Sequence, residues 1–373
     1  MSSERQITVG GVPIGGGAPV TVQSMCVTKT HDVEATLAEV GRLQEAGVDL
    51  VRVAVPGAPD ADALAEIVAR SPVPIIADIH FNASLALRAF DAGVAAVRIN
   101  PGNIGGPEKV ELVVRKAQET GTPMRIGANS GSLPMHLRPE ATADPAGALV
   151  KAAMEEVEML ERLDFREVKI SVKSTSVPVM IEAYRRLSEL VPYPLHLGVT
   201  EAGLPGTGIV KSSIGIGALL AQGIGDTIRV SLTADPVEEV KTGIEILKSL
   251  GLKQYGPTLI ACPSCGRTNV EVHELAGEVN DRLAAYTQHF EVAVMGCAVN
   301  GPGEAGDADF GIAGGRDAGH IYAHGGVLRK VEQAVLVDEL FREIDAWIAD
   351  GMPRPERGTR KRNLLAAQAW VRA

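Results

Sequence analysis

The strongest constraint on this chain is an alternation that runs through roughly its first 250 residues. Short runs rich in Val, Ile and Leu take turns with longer amphipathic stretches. Eight runs read as strands: 20–24, 50–54, 74–78, 95–100, 124–128, 167–172, 194–199 and 227–231. Helix candidates follow them near 33–46, 60–71, 82–92, 107–120, 144–162, 176–190, 209–222 and 236–250. Asp144-Pro145 and Asp235-Pro236 each place a capping carboxylate before a proline at the first helical position. Gly47, Gly93, Gly121 and Gly251 stand where helices should end. Strand–helix alternation at this spacing argues for a parallel sheet. Eight such units in about 230 residues fit a (β/α)8 TIM-type barrel. A doubly wound sheet is the alternative, and it usually brings a Gly-rich first turn.

Residues 6–19, with the run Gly15-Gly16-Gly17, read as a hairpin covering the closed end of that barrel. The pattern changes after Gly251. Segment 251–258 reads as a linker. Short strands follow at 258–261, 291–295, 310–313 and 320–323, with helices near 269–286 and 334–349. The expected division is therefore a barrel over 1–254 and a small α+β domain over 255–373. The basic tail, from Arg354 through Arg357, Arg360, Lys361 and Arg362, reads as a solvated terminus.

Composition narrows the function. Net charge is −10 and aromatics are only 3% of the chain. That disfavours nucleic acid, which demands a basic field and stacking rings. No apolar leader opens the sequence, and no run of roughly 18 apolar residues occurs. A cytoplasmic protein is the expectation. Four cysteines do not make a disulfide framework. Three of them fall in the last third of the chain, which suggests a metal site in a reducing compartment.

Those three are Cys262, Cys265 and Cys297. In Cys262-Pro-Ser-Cys265 a turn can aim both sulfurs at one metal. Cys297 opens a Gly/Pro-rich stretch that ends at Glu304. A structural zinc needs four Cys or His ligands, and His273 would have to be the fourth. A redox dithiol leaves Cys297 without a role. A [4Fe-4S] cluster on three thiolates and one oxygen ligand, or with one open iron, uses every piece. All three readings stay open on spacing alone. Cys26 lies far from the others and reads as inert.

Barrel active sites sit at the C-terminal strand ends. Those ends carry Arg52, Arg98, Arg125, Lys173 and Arg229. Five cations meet only Asp78 and Glu201 there, so the excess suits a phosphorylated ligand. Gly203, Gly206 and Gly208 can offer backbone N–H groups to an anion. Glu201 is the candidate for proton transfer and His80 for orienting substrate. No dinucleotide fingerprint or Walker motif is present. Electrons should therefore come from a partner protein.

Several strings together carry a family resemblance. They are Asp78-Ile-His80-Phe81, Arg98-Ile-Asn100-Pro-Gly-Asn-Ile-Gly105, Val199-Thr-Glu201-Ala-Gly203, Cys262-Pro-Ser-Cys265 and Asn300-Gly-Pro-Gly-Glu304. From about Thr8 to residue 345 the chain resembles the bacterial 4-hydroxy-3-methylbut-2-en-1-yl diphosphate synthases, enzymes of the non-mevalonate (MEP) route of isoprene biosynthesis. The resemblance implies an iron–sulfur oxidoreductase that opens and dehydrates 2-C-methyl-D-erythritol 2,4-cyclodiphosphate with two electrons. It implies a [4Fe-4S] cluster on Cys262, Cys265, Cys297 and Glu304. It implies a substrate pocket of Arg52, His80, Arg98, Asn100, Arg125, Asn129, Lys173, Arg229 and Ser231, with Glu201 moving a proton. Flavodoxin or ferredoxin would supply the electrons. The family forms a head-to-tail homodimer, in which one copy's cluster domain caps the other's barrel mouth. Two departures stand out: Cys26-Val27 replaces the Thr-Asn usual in relatives, and the domain that plant-type relatives insert is missing.

Overall fold

The computed structural model describes residues 3–268, 270–297, 301–315 and 317–353. The chain divides into two compact units between Lys253 and Gln254.

The first unit opens with the antiparallel hairpin β1 (Gln6–Val9) and β2 (Val12–Gly15). Eight parallel strands come next: β3 (Thr21–Met25), β4 (Leu50–Ala54), β5 (Ile75–Asp78), β6 (Ala96–Arg98), β7 (Met124–Asn129), β8 (Val168–Lys173), β9 (His196–Leu197) and β10 (Thr227–Ile228). They pair in the order β8-β7-β6-β5-β4-β3-β10-β9. A parallel bridge between Ile170 and Leu195 joins the two ends and closes the barrel. The helices around it are α1 (Val33–Glu45), α2 (Ala58–Arg70), α3 (Ala83–Asp91), α4 (Pro107–Thr120), α5 (Arg138–Ala143), α6 (Pro145–Arg162), α7 (Val177–Leu190), α8 (Pro205–Leu220) and α9 (Pro236–Ser249).

Local chemistry sets these boundaries. Asp144 accepts from the Gly147 N–H and Asp235 from the Val237 N–H, so both Asp-Pro pairs open helices. Gly47, Gly93, Gly121 and Gly251 all take positive φ just past helix ends. The hairpin does cover the closed end. Its Ile7, Val9 and Ile14 pack on Leu50, Ile76 and Ala96 near the N-terminal ends of β4, β5 and β6. Helix α5 is absent from the sequence reading, and several element bounds differ from it. Helix α8 starts four residues early, with Pro205 at its first turn. Strands β9 and β10 are only two residues long, because past them the chain turns into the mouth as loop.

The second unit is a five-stranded sheet in the order β11-β12-β13-β14-β15. Its strands are β11 (Thr258–Ala261), β12 (Glu291–Met295), β13 (Phe310–Ala313), β14 (Ala318–Ala323) and β15 (Gly326–Glu332). Its helices are α10 (Val272–Leu283), α11 (Gly301–Asp307) and α12 (Leu336–Ala349). Strands β11, β12 and β13 run parallel, and β13, β14 and β15 antiparallel. Phe290, Phe310, Phe341 and Trp347 form its core. Their edge-to-face pairs lie 5.3–6.2 Å apart, each worth roughly 1 kcal/mol beyond burial. The sequence reading missed β15 and α11. The basic tail expected after Pro353 lies outside the described residues.

Candidate active site

The pocket is built from the segments at the C-terminal ends of the barrel strands. A cavity of about 500 Å³ is lined by His80 and Phe81 after β5, Arg98 and Asn100 at the end of β6, and Asn103 beyond. Asn129 and residues 130–132 close one side, with Thr175, Thr200 and Glu201 on the other. Five of the sequence-predicted site residues therefore line one space: His80, Arg98, Asn100, Asn129 and Glu201. Glu201 is exposed and holds a positive φ of 52°, a costly backbone for a side chain with a Cβ.

Four predicted cations lie elsewhere around the barrel axis. Arg52, Arg125 and Lys173 are buried, and Arg229 is half-buried. Ser231 is also half-buried. None of these five lines the cavity directly.

Asp78 organises the cations. It accepts from Arg98 Nη1 at 3.1 Å and lies 3.4 Å from Arg52 Nε. Burial alone would raise its carboxyl pKa. The neighbouring Arg52, Arg98 and Arg125 overcome that and hold it at about 2. The same Arg98 Nη1 reaches His80 Nε2 at 2.7 Å, and burial followed by the Arg98 charge lowers the His80 pKa. Burial pushes Arg52 down to about 10, although Asp78 supports its charge. Burial also pushes Arg125 and Lys173 well down, and the neighbouring guanidinium groups add to the effect.

Two glycines stand where the barrel strands pack closely, one against the neighbouring backbone and one against a cation. A Cβ on Gly127 would fall 1.9 Å from the Ser171 carbonyl oxygen, and one on Gly198 would fall 2.9 Å from Lys173 Nζ. Sequence reading missed the second organising carboxylate. Glu239 on α9 is buried, accepts from the Leu232 N–H at 2.9 Å and lies 3.4 Å from Arg229 Nη2. Its signal was available: it falls on the apolar face of α9, beside Val240 and Gly243. Thr175, directly after Lys173-Ser174, was also missed. Cys26 is buried, and burial followed by the nearby Glu39 raises its thiol pKa, in keeping with an inert role.

In the second unit Cys262 follows β11 and Cys297 follows β12, which are adjacent parallel strands. The Cys262 N–H donates to the Val294 carbonyl, tying the two ends together. Ser264, at φ 68°, turns the chain so that Cys265 stands in the same loop. Backbone and side-chain hydrogen bonds from Arg267 lower the Cys265 thiol pKa. Glu304 sits on α11, which follows the same strand end as Cys297. All three cysteines are free thiols, and Cys297 is buried. Among the described residues no three Cys, His, Asp or Glu side chains converge on a metal position. The donor set and its gathering at one sheet edge nevertheless fit an iron–sulfur centre better than a closed zinc site. His273 lies on α10.

A closed parallel barrel with buried cations beside an open pocket at its C-terminal strand ends is the layout of a TIM-barrel enzyme. The particular family emerges from comparison with known proteins. The GcpE TIM-barrel domain matches residues 4–244, and the GcpE protein C-terminal domain matches residues 258–346. The chain belongs to the GcpE family. It is 52% identical over 341 residues to the 4-hydroxy-3-methylbut-2-en-1-yl diphosphate synthase (flavodoxin) of Clostridium perfringens, covering 91% of this chain and 98% of that protein. The enzymes of the same name from Exiguobacterium sibiricum and Geobacter sulfurreducens are each 50% identical. They cover 94% and 93% of this chain, and 95% and 98% of their own lengths.

Proposed function

We propose that this chain catalyses the reaction of these relatives. It is an iron–sulfur oxidoreductase of isoprene biosynthesis. It opens the ring of 2-C-methyl-D-erythritol 2,4-cyclodiphosphate and removes water to give (E)-4-hydroxy-3-methylbut-2-enyl diphosphate, taking up two electrons and the protons that balance them. The observation that carries this reading is the excess of cations at the barrel axis, where Arg52, Arg98, Arg125, Lys173 and Arg229 share, among the described residues, the two ion-pairing carboxylates of Asp78 and Glu239.

Each residue then has a task. Arg98, with Arg52 fixed beside it by Asp78, binds one phosphate; Arg guanidinium suits two phosphate oxygens at once. Lys173, Arg125 and Arg229 add charge from below. Asn100 and Asn129, on the pocket wall, donate to or accept from the remaining polar atoms. His80, held against Arg98, orients the substrate. Glu201, on the pocket wall, delivers or accepts the proton that lets water leave. Cys262, Cys265, Cys297 and Glu304 would hold a [4Fe-4S] cluster, which supplies one-electron reduction. Reduced flavodoxin is the donor in the same reading, as the relatives' names suggest.

A head-to-tail homodimer belongs to the same proposal. Val27, Phe81, Met135 and Leu204 are 65–80% exposed, and each lies in the connection that follows a barrel strand. Such an apolar rim supports a mouth that a second copy covers.

The test is anaerobic turnover. Protein reconstituted with iron and sulfide should be brown and hold about four irons per chain. With reduced flavodoxin it should convert the cyclodiphosphate to the linear alcohol diphosphate. A colourless protein with one tight zinc and no turnover would overturn the reading.

A further inference from the structure

Beneath the pocket the barrel holds polar groups that the proposed chemistry leaves unused. Lys169 on β8 and His196 on β9 are fully buried. Neither Lys169 Nζ nor either ring nitrogen of His196 has a hydrogen-bond partner among the described residues. Lys169 is the register partner of Arg125 on β7, whose Nε and Nη1 are also unpaired. Two charged groups face Lys169: Arg125, and Arg52 of β4. Lys173, Arg125, Lys169 and Arg52 face His196. The carboxylates ion-paired in this interior are engaged elsewhere, Asp78 with Arg52 and Arg98, and Glu239 with Arg229.

An ammonium without an acceptor, set among guanidinium groups, favours losing its proton. Burial, then Arg125 and Arg52, push Lys169 down to about 7. Burial, then Lys173, push His196 well below its ordinary range, so its ring stays neutral. An anion entering above Arg125 reverses the local field and favours the charged amine.

We propose that Lys169 regulates the charge of the substrate site: it is neutral under an empty pocket and takes a proton from solvent when a diphosphate binds above it. No covalent bond changes in this step, and Lys169 acts through Arg125, as a positioning residue. The inference rests on the reading of the pocket as a cyclodiphosphate site. The ligand would not be the proton acceptor, because each phosphorus in the ring carries one strongly acidic oxygen.

Calorimetry decides it. The anaerobic holoenzyme is titrated with the cyclodiphosphate at about pH 8, in two buffers of different ionisation enthalpy. Proton uptake approaching roughly one per site is expected. It should fall as pH drops below about 7, where the empty site already holds the proton. Lys169→Met should still bind and should lose most of that uptake. Binding heat independent of buffer in the wild-type enzyme would overturn the inference, whether or not the variant folds. Unchanged uptake in Lys169→Met would also overturn it, by placing the proton on another group such as Lys173. No binding at all would instead overturn the substrate reading.

Discussion

Arg98 donates from Nη1 to Asp78 Oδ1 at 3.1 Å, and both side chains are about nine-tenths or more buried. This pair sets the electrostatics of the mouth, because Asp78 also lies against Arg52. Replacing Asp78 by Asn keeps the shape and removes the charge, so Arg52 and Arg98 are left uncompensated. Such losses cost about 3 kcal/mol or more. Thermal or denaturant unfolding of Asp78→Asn should show that drop. The sign with pH is fixed. Asp78 has a folded pKa of about 2, below its ordinary 3.8. Its contribution is complete above the ordinary carboxylate range and is lost as pH falls through about 2. The variant should lack that acid-side segment of the stability profile.

Gly198 gives a test of the cation packing. A Cβ there would lie 2.6 Å from the Arg229 carbonyl oxygen and 2.9 Å from Lys173 Nζ. The lysine can swing away, but the carbonyl is backbone and cannot. Gly198→Ala should therefore displace Lys173 and raise KM roughly tenfold, with a smaller change in kcat. Gly217→Ala on α8, where nothing lies within 4 Å, is the control. It should leave kinetics unchanged and gain up to about 1 kcal/mol in stability.

Glu201 separates strain from chemistry. Its φ of 52° costs a non-glycine residue roughly 1 kcal/mol. Glu201→Gln keeps that backbone and removes only the ionisable group. Turnover should fall roughly 100-fold or more while iron content stays the same. Glu201→Gly should be as inactive, yet melt slightly above the wild type. An inactive variant more stable than its parent marks a residue kept for the reaction.

The barrel was legible because each of its signals is local. Val- and Ile-rich runs marked the strands, Asp-Pro pairs capped α6 and α9, and glycines of positive φ ended helices. The features that escaped were set by tertiary context. Strand β15, Gly-Val-Leu-Arg-Lys-Val-Glu, is an edge strand with little burial, so its apolar signal is diluted. Helix α11 begins Gly-Pro-Gly, against helix propensity. Glu239 and Lys169 carry ordinary charges in the sequence, and only closure of the barrel buries them among cations. The cysteine spacing left zinc, dithiol and cluster open, and the strand order β11-β12 supplies the missing link between Cys262 and Cys297.

The thiol-bearing edge of the second sheet can be tested ligand by ligand. Cys262, Cys265 and Cys297 are three thiols, and the proposed cluster takes its fourth ligand from another element. Glu304, on α11 after the Cys297 strand, is the proposed one. A carboxylate binds iron less firmly than a thiolate does, so the two kinds of variant should differ in degree. Cys297→Ser removes a buried thiol proposed as a ligand and should abolish assembly, leaving little iron and no visible absorption. Glu304→Ala should assemble poorly and lose iron quickly on dilution or exposure to air. Glu304→Cys offers a fourth thiolate and should restore cluster content without restoring turnover, if an oxygen-held iron is what the reaction needs. Iron analysis, visible absorption and turnover read on the same samples separate these outcomes. Wild-type iron content and rate in Glu304→Ala would remove Glu304 from the ligand set and leave the three cysteines alone.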